Sequence, residues 1–81
     1  MSKRERKDKY LSFMPQEAQI PVETLDSLGF FTVPASIKYH GNYEGGLFDH
    51  SFAVAESLVE LTEKLGLKWG RPYSPYLVGM Y

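Results

Sequence analysis

His50 is one of two histidines in this 81-residue chain, and it stands near the start of the longest helical pattern. An imidazole can bind a divalent cation through one nitrogen while the other nitrogen donates a hydrogen bond. A lone histidine on a helix is more often a hydrogen-bonded structural residue, so both interpretations stay open. Asp49 precedes His50, but adjacent helical side chains diverge by about 100° and do not easily share one ion.

A glycine-rich segment, residues 40–46, leads into that helix. It begins with His40 and ends with Gly45-Gly46. Two glycines at a helix start allow the backbone to approach an anion there, although such a pair is more commonly only a tight turn. His40, Glu44 and Asp49 can be assembled into a site on paper, but nothing in their spacing requires one.

Nucleophilic catalysis has little support in the sequence. The absence of cysteine excludes a cysteine nucleophile, a thiolate zinc site and disulfide bonds. Neither a Gly-x-Ser-x-Gly elbow nor a Walker-type phosphate loop is present. Ser51 follows His50 directly, and side chains of adjacent helical residues do not face each other.

The helix that carries His50 is predicted from hydrophobic periodicity over residues 47–65, with Gly66 as its terminator. Its apolar face, which we expect to be buried, consists of Leu47, Ser51, Val54, Leu58, Leu61 and Leu65. The opposite face is acidic and consists of Asp49, Glu56, Glu60 and Glu63. His50 is about 60° from the centre of the apolar face, at a border where a pocket can form.

Shorter elements flank this helix. Residues 21–29 predict a short helix that begins at Pro21 and ends at Gly29. Ser74-Pro75 predicts the N-cap and first turn of a last helix, which stops on apolar residues at Tyr81 without a cap. The chain therefore looks cut, and an unfinished apolar helix would make self-association easy.

The first ten residues form a basic arm, with five basic side chains against two acidic ones, on a body that is otherwise acidic. Such an arm is either a solvated, frayed terminus or a contact for nucleic acid. Residues 11–20 show no period. We therefore divide the chain into a basic arm with an irregular N-terminal segment (1–20) and a helical domain (21–81).

Length and hydropathy bound the remaining possibilities. A chain of this length allows one small domain with a marginal core. Its apolar runs are far shorter than the ~18 residues that span a bilayer, and no secretory signal follows the basic start. A soluble, cytoplasmic chain or a piece of one is expected, with no membrane partner.

Three features in order resemble the opening of an HD-domain metal-dependent phosphohydrolase. They are Pro34-Ala-Ser-Ile-Lys-Tyr-His40, then Gly45-Gly-Leu-Phe-Asp-His50-Ser51, then the long amphipathic helix. The similarity covers residues 30–81 and is greatest to the branch that includes 3′→5′ exoribonucleases. The resemblance implies an all-α helical bundle of HD-domain type, here truncated just before the His-Asp dyad that defines the family.

The resemblance also implies roles for individual residues. His50 maps onto the first metal ligand, and His40 lies near the substrate side, where Gly45 and Gly46 would also bind substrate. No catalytic residue falls within the fragment. The full-length protein would be a phosphohydrolase that uses a divalent metal (Mn, Mg, Fe or Ni) to hydrolyse phosphoesters of nucleotides or nucleic acid. The chain alone is expected to be inactive, and the alternative is a small helical domain that binds nucleic acid or protein without catalysis.

Overall fold

Four α-helices and one 3₁₀ turn make up the fold. The computed structural model describes residues 1–35 and 43–81. Its elements are α1 (Lys3–Phe13), the 3₁₀ turn (Gln16–Ala18), α2 (Val22–Ser27), α3 (Gly46–Leu65) and α4 (Ser74–Met80). Within those two ranges there is no β-strand, which confirms the all-α class. Among the described residues, none of the helices has the length and hydropathy to cross a bilayer.

The N-terminal segment is a helix, and the prediction of a frayed arm is wrong for Lys3–Phe13. Ser2 is the N-cap of α1: its hydroxyl accepts from the Glu5 amide, and the Glu5 carboxylate accepts from the Ser2 amide, both at 3.1 Å. This capping box satisfies two amides that would otherwise lack partners. Tyr10, on the same helix, is fully buried, and this anchors α1 to the rest of the molecule.

The core is aromatic and draws on all parts of the described chain. Phe31 and Phe48 are completely buried and pack with ring centroids 5.5 Å apart, while Phe31 meets Tyr10 edge-to-face at 5.9 Å. Edge-to-face pairs of this kind add to the free energy gained from burial alone. The buried apolar residues are Tyr10, Met14, Ala18, Leu25, Phe31, Phe48, Phe52, Ala55 and Met80.

The predicted helix over residues 47–65 is confirmed, and Gly66 ends it in a left-handed conformation. The face that we expected to be buried, however, is largely exposed. Val54, Leu61 and Leu65 are 41%, 47% and 66% exposed. The buried stripe is rotated toward the Phe48 and Phe52 rings, which bring more apolar area into the core than leucines do.

α4 packs against α3 through its glycine. A methyl group on Gly79 would overlap the backbone of Ala55, so the two helices approach closely at this point. Met80 is buried, and the Tyr81 hydroxyl donates a 2.9 Å hydrogen bond to the Ala18 carbonyl. The apolar last helix is therefore partly covered within the chain, although Val78 stays open to solvent.

The start of α4 also differs by one residue from the prediction. Tyr73 is the N-cap and makes no capping hydrogen bond with its side chain, while Ser74 is already helical. Pro75 still lies in the first turn, where its missing amide proton has no cost.

Gly66 offers a test of how α3 ends. Its φ of +62° favours glycine, and a Cβ added there would meet nothing within 4 Å, so strain is the only cost of the extra methyl group. We expect Gly66→Ala to destabilise the protein by about 1 kcal/mol, which lowers the melting temperature by roughly 4–8 °C. Thermal melts followed by circular dichroism measure this change. Gly70→Ala is the control, since Gly70 has equal space and no positive φ; equal melting of both variants would contradict the expectation.

Candidate functional site

His50 is exposed at one end of an open apolar groove along α3. The groove has a volume of about 410 Å³ and is lined by His50, Ala53, Val54, Ser57, Leu58 and Leu61. The angular position of His50 on the helix predicted that it lies at the edge of this apolar face, but the face was expected to be buried and is largely exposed. Its imidazole is thus accessible to a ligand or an ion from solvent.

Asp49 is engaged by a buried arginine from α1. Arg6 is only 4% exposed, and its Nε and Nη2 donate to the two carboxylate oxygens of Asp49 at 3.1 and 3.4 Å. The Tyr43 hydroxyl donates to the same carboxylate at 2.9 Å. Asp49 therefore joins α1 to the first turn of α3 and points away from a site at His50.

The protonation of Asp49 follows from these contacts. Partial burial raises the pKa of its carboxyl, but the hydrogen bonds from Arg6 and Tyr43 and the charge of Arg6 outweigh burial and hold the pKa below its ordinary value. The hydrogen bond between Tyr43 and Asp49 also raises the pKa of Tyr43, because the hydroxyl donates its proton to an anion. Asp49 is therefore an anion at neutral pH, and its charge is neutralised by Arg6.

Gly45-Gly46 forms a tight turn that is packed under Arg6. Gly45 has a φ of +84°, and a Cβ there would overlap the guanidinium. The amide of Gly45 donates to Thr32 O at 2.8 Å, and that of Gly46 donates to Tyr43 O at 2.9 Å. An anion at this helix start would have to displace these bonds, so the role of both glycines in substrate binding stays a prediction.

The cations of α1 are largely used inside the molecule. Lys3 and Lys7 both pair with Asp26, at 3.2 and 2.7 Å, and the Lys9 ammonium lies 4.5 Å from the centre of the Phe52 ring. With Arg6 bound to Asp49, four of the five basic side chains in residues 1–10 contact groups elsewhere in the described chain. Lys3, Arg4 and Lys9 nevertheless stay exposed, so contact of this segment with nucleic acid stays a prediction.

Of the predicted site residues, Gly45 is the N-cap of α3, and Gly46 and His50 lie on that helix. His40 lies outside the described residues. Across residues 1–35 and 43–81, no three histidine, aspartate or glutamate side chains are placed to share a metal ion. The role of His50 as a metal ligand therefore stays a prediction.

Arg6 is the residue of this region that the sequence analysis missed. The signal that would have placed it was the Ser2-x-x-Glu5 capping pattern, which marks a helix start and so puts Arg6 and Tyr10 on one helix face four residues apart.

Comparison with protein-family models, with characterised proteins and with solved structures gives no match to this chain.

Proposed function

We propose that this chain is the N-terminal part of an HD-domain metal-dependent phosphohydrolase, in which His50 is one metal ligand. The observation that carries the proposal is the contrast between neighbours at the start of α3. The imidazole of His50 is open to solvent beside a groove, whereas the carboxylate of Asp49 is bound to Arg6 and Tyr43. Of these two adjacent side chains, His50 is the one open to a ligand, which agrees with the metal-ligand role that the resemblance implies for it.

One imidazole does not hold a divalent ion by itself, so the remaining ligands would come from residues outside the described ranges. When bound in such a site, a divalent cation activates water for attack on phosphorus and neutralises charge on the phosphate oxygens. The part played by this chain is then to hold His50 on a rigid helix whose first turn is fixed by Arg6. The 81-residue chain alone is expected to be inactive, with substrates of the whole protein among phosphoesters of nucleotides or nucleic acid.

The coding DNA after codon 81 is the first test. A reading frame that continues into a His-Asp dyad and a later aspartate supports the proposal, and the intact mass of the native protein shows whether that part is translated. A stop codon directly after Tyr81 overturns it and leaves a helical domain without catalysis.

His50→Ala in the protein from the complete reading frame is the second test. We expect loss of bound Mn²⁺ and a fall of more than about 100-fold in hydrolysis of a nitrophenyl phosphodiester, since residues that only orient ligands already change such values by about 10- to 100-fold. Ser57→Ala, which alters the same groove without removing a ligand, is the matched control. Full activity and metal content in the His50→Ala protein would sink the proposal.

A further inference from the structure

The exposed apolar face of α3 has the spacing of a helix–helix interface. We define the α3 seam as Leu47, Ser51, Val54, Leu58, Leu61 and Leu65, which follow one another at intervals of four, three, four, three and four residues. This spacing keeps a narrow stripe facing a partner helix, as in coiled coils. The core uses the neighbouring stripe, with Phe48 and Phe52, so that within the described residues Val54, Leu61 and Leu65 of the seam stay exposed and its other three residues are half-buried.

We propose that the α3 seam binds the α3 seam of a second copy of this chain, with the two helices antiparallel. The intervals read the same in both directions, so one twofold axis pairs all six positions at once. Leu47 then faces Leu65 of the second copy, Val54 faces Leu58, and Ser51 faces Leu61. In the two central kinds of pair a smaller side chain, Ser51 or Val54, faces a leucine, and such alternation of small and large residues lets facing side chains interdigitate.

Charge selects the antiparallel direction. Glu44 lies just before α3 and Lys68 just beyond its end, and both side chains are exposed, whereas Lys64 is paired with Glu60 of its own helix. An antiparallel pair brings Glu44 of one copy near Lys68 of the other, and it also opposes the helix dipoles. A parallel pair would place like ends together and set two Ser51 hydroxyls against each other in the seam.

The border of the seam permits close approach. Ala53 and Ser57, on the side away from α4, are small and uncharged. The nearest charges on that side, Glu60 and Lys64, already form a 2.7 Å pair within the helix. A helix of 20 residues is about 30 Å long, so a single seam gives an interface at the small end of the usual range, and we expect a weak dimer.

Sedimentation equilibrium of the intact chain tests the proposal. We expect a monomer–dimer equilibrium, and Leu61→Asp should raise the dissociation constant by at least about tenfold because it buries a charge in the seam. Leu61 is 47% exposed in the monomer, so circular dichroism should show that the variant folds. Leu28→Asp, at a leucine that is 75% exposed near α2, is the control and should change nothing.

Cross-linking decides the direction, since the chain has no cysteine of its own. When Ser51→Cys and Leu61→Cys chains are mixed and oxidised, the antiparallel pair predicts the mixed Ser51→Cys/Leu61→Cys disulfide dimer, identified by intact mass. Dimers of identical chains in its place would overturn the antiparallel arrangement. A chain that stays monomeric up to millimolar concentration overturns the self-association altogether and assigns the groove to another occupant. His50 lines the same groove but is not a seam residue, so the self-association of the seam and the metal-ligand role of His50 are tested by different variants.

Discussion

Arg6→Ala is expected to destabilise the protein by about 2–3 kcal/mol, somewhat less than the 3–5 kcal/mol typical of breaking a fully buried ion pair. The reason for the difference is Asp49, whose side chain is 22% exposed and can recover some hydration. The substitution also empties the space above Gly45 and removes the ion pair between α1 and α3. Urea denaturation at pH 7 measures the loss, which is a large part of the total for a chain of this size.

A double-mutant cycle with Asp49→Asn separates the free energy of the Arg6–Asp49 ion pair from the free energy contributed by packing of the Arg6 aliphatic stem. If the ion pair carries the effect, the loss from Arg6→Ala falls by at least half when Asp49 is already asparagine. Lys7→Ala is the matched control, because Lys7 also pairs with an aspartate from another element, but at the surface, and should cost less than about 1 kcal/mol. Equal losses from Arg6→Ala and Lys7→Ala would show that burial adds nothing to the Arg6 pair.

Acid should weaken the same ion pair. The folded-state pKa of Asp49 is below its ordinary value of 3.8, so the stability that it contributes is complete above that value and is lost as pH falls through the folded-state pKa. The difference in unfolding free energy between the native chain and Asp49→Asn should therefore shrink below pH 4. A difference that stays constant down to pH 2 would contradict this account.

Gly79→Ala is expected to cost about 1–3 kcal/mol, the usual effect of overpacking a close helix crossing. The added methyl group would overlap the Ala55 backbone, which cannot move without shifting α3 against α4. Inside a helix, alanine is about 1 kcal/mol more favourable than glycine. The cost of the overlap must therefore exceed this gain for Gly79→Ala to destabilise the protein. Thermal and urea unfolding both measure it.

Ala55→Gly tests where the clash lies. The Ala55 Cβ would be 2.9 Å from the new methyl group, but the backbone would be nearer still, so removing the Ala55 side chain should rescue Gly79→Ala only in part. Gly70→Ala again controls for the general effect of replacing a glycine. Full rescue by Ala55→Gly would show that only side chains set the distance between the helices.

The sequence predicted the helices with local signals and failed where tertiary packing decides. Glycine terminators placed the ends of two helices well, with Gly29 and Gly66 both at positive φ. Periodicity predicted α3 but not its buried face, because α3 has more apolar positions than one stripe can bury. Choosing the Phe48 side over the Leu61 side required knowing that Phe31 and Gly79 would be there.

The site shows the same division. Helix geometry gave the position of His50 beside the stripe of leucines, since 100° steps relate every residue of α3, but not its exposure, because that stripe was expected to be buried. The engagement of Asp49 did not follow from helix geometry either, because Arg6 lies 43 residues away along the chain and its helix was not predicted. A contact between distant segments leaves no periodic trace in either segment.

Three distant segments meet at the Tyr10 and Tyr81 hydroxyls, which contact each other across 71 residues of sequence. Tyr10 also accepts from the Ile20 amide at 2.8 Å, and Tyr81 donates to Ala18. Such a junction closes a loop that spans most of the chain, and its entropic cost must be met before the contact forms. The helical hairpin of α3 and α4 is local by comparison and should assemble first, so that docking of α1 onto it is the late, rate-limiting step of folding.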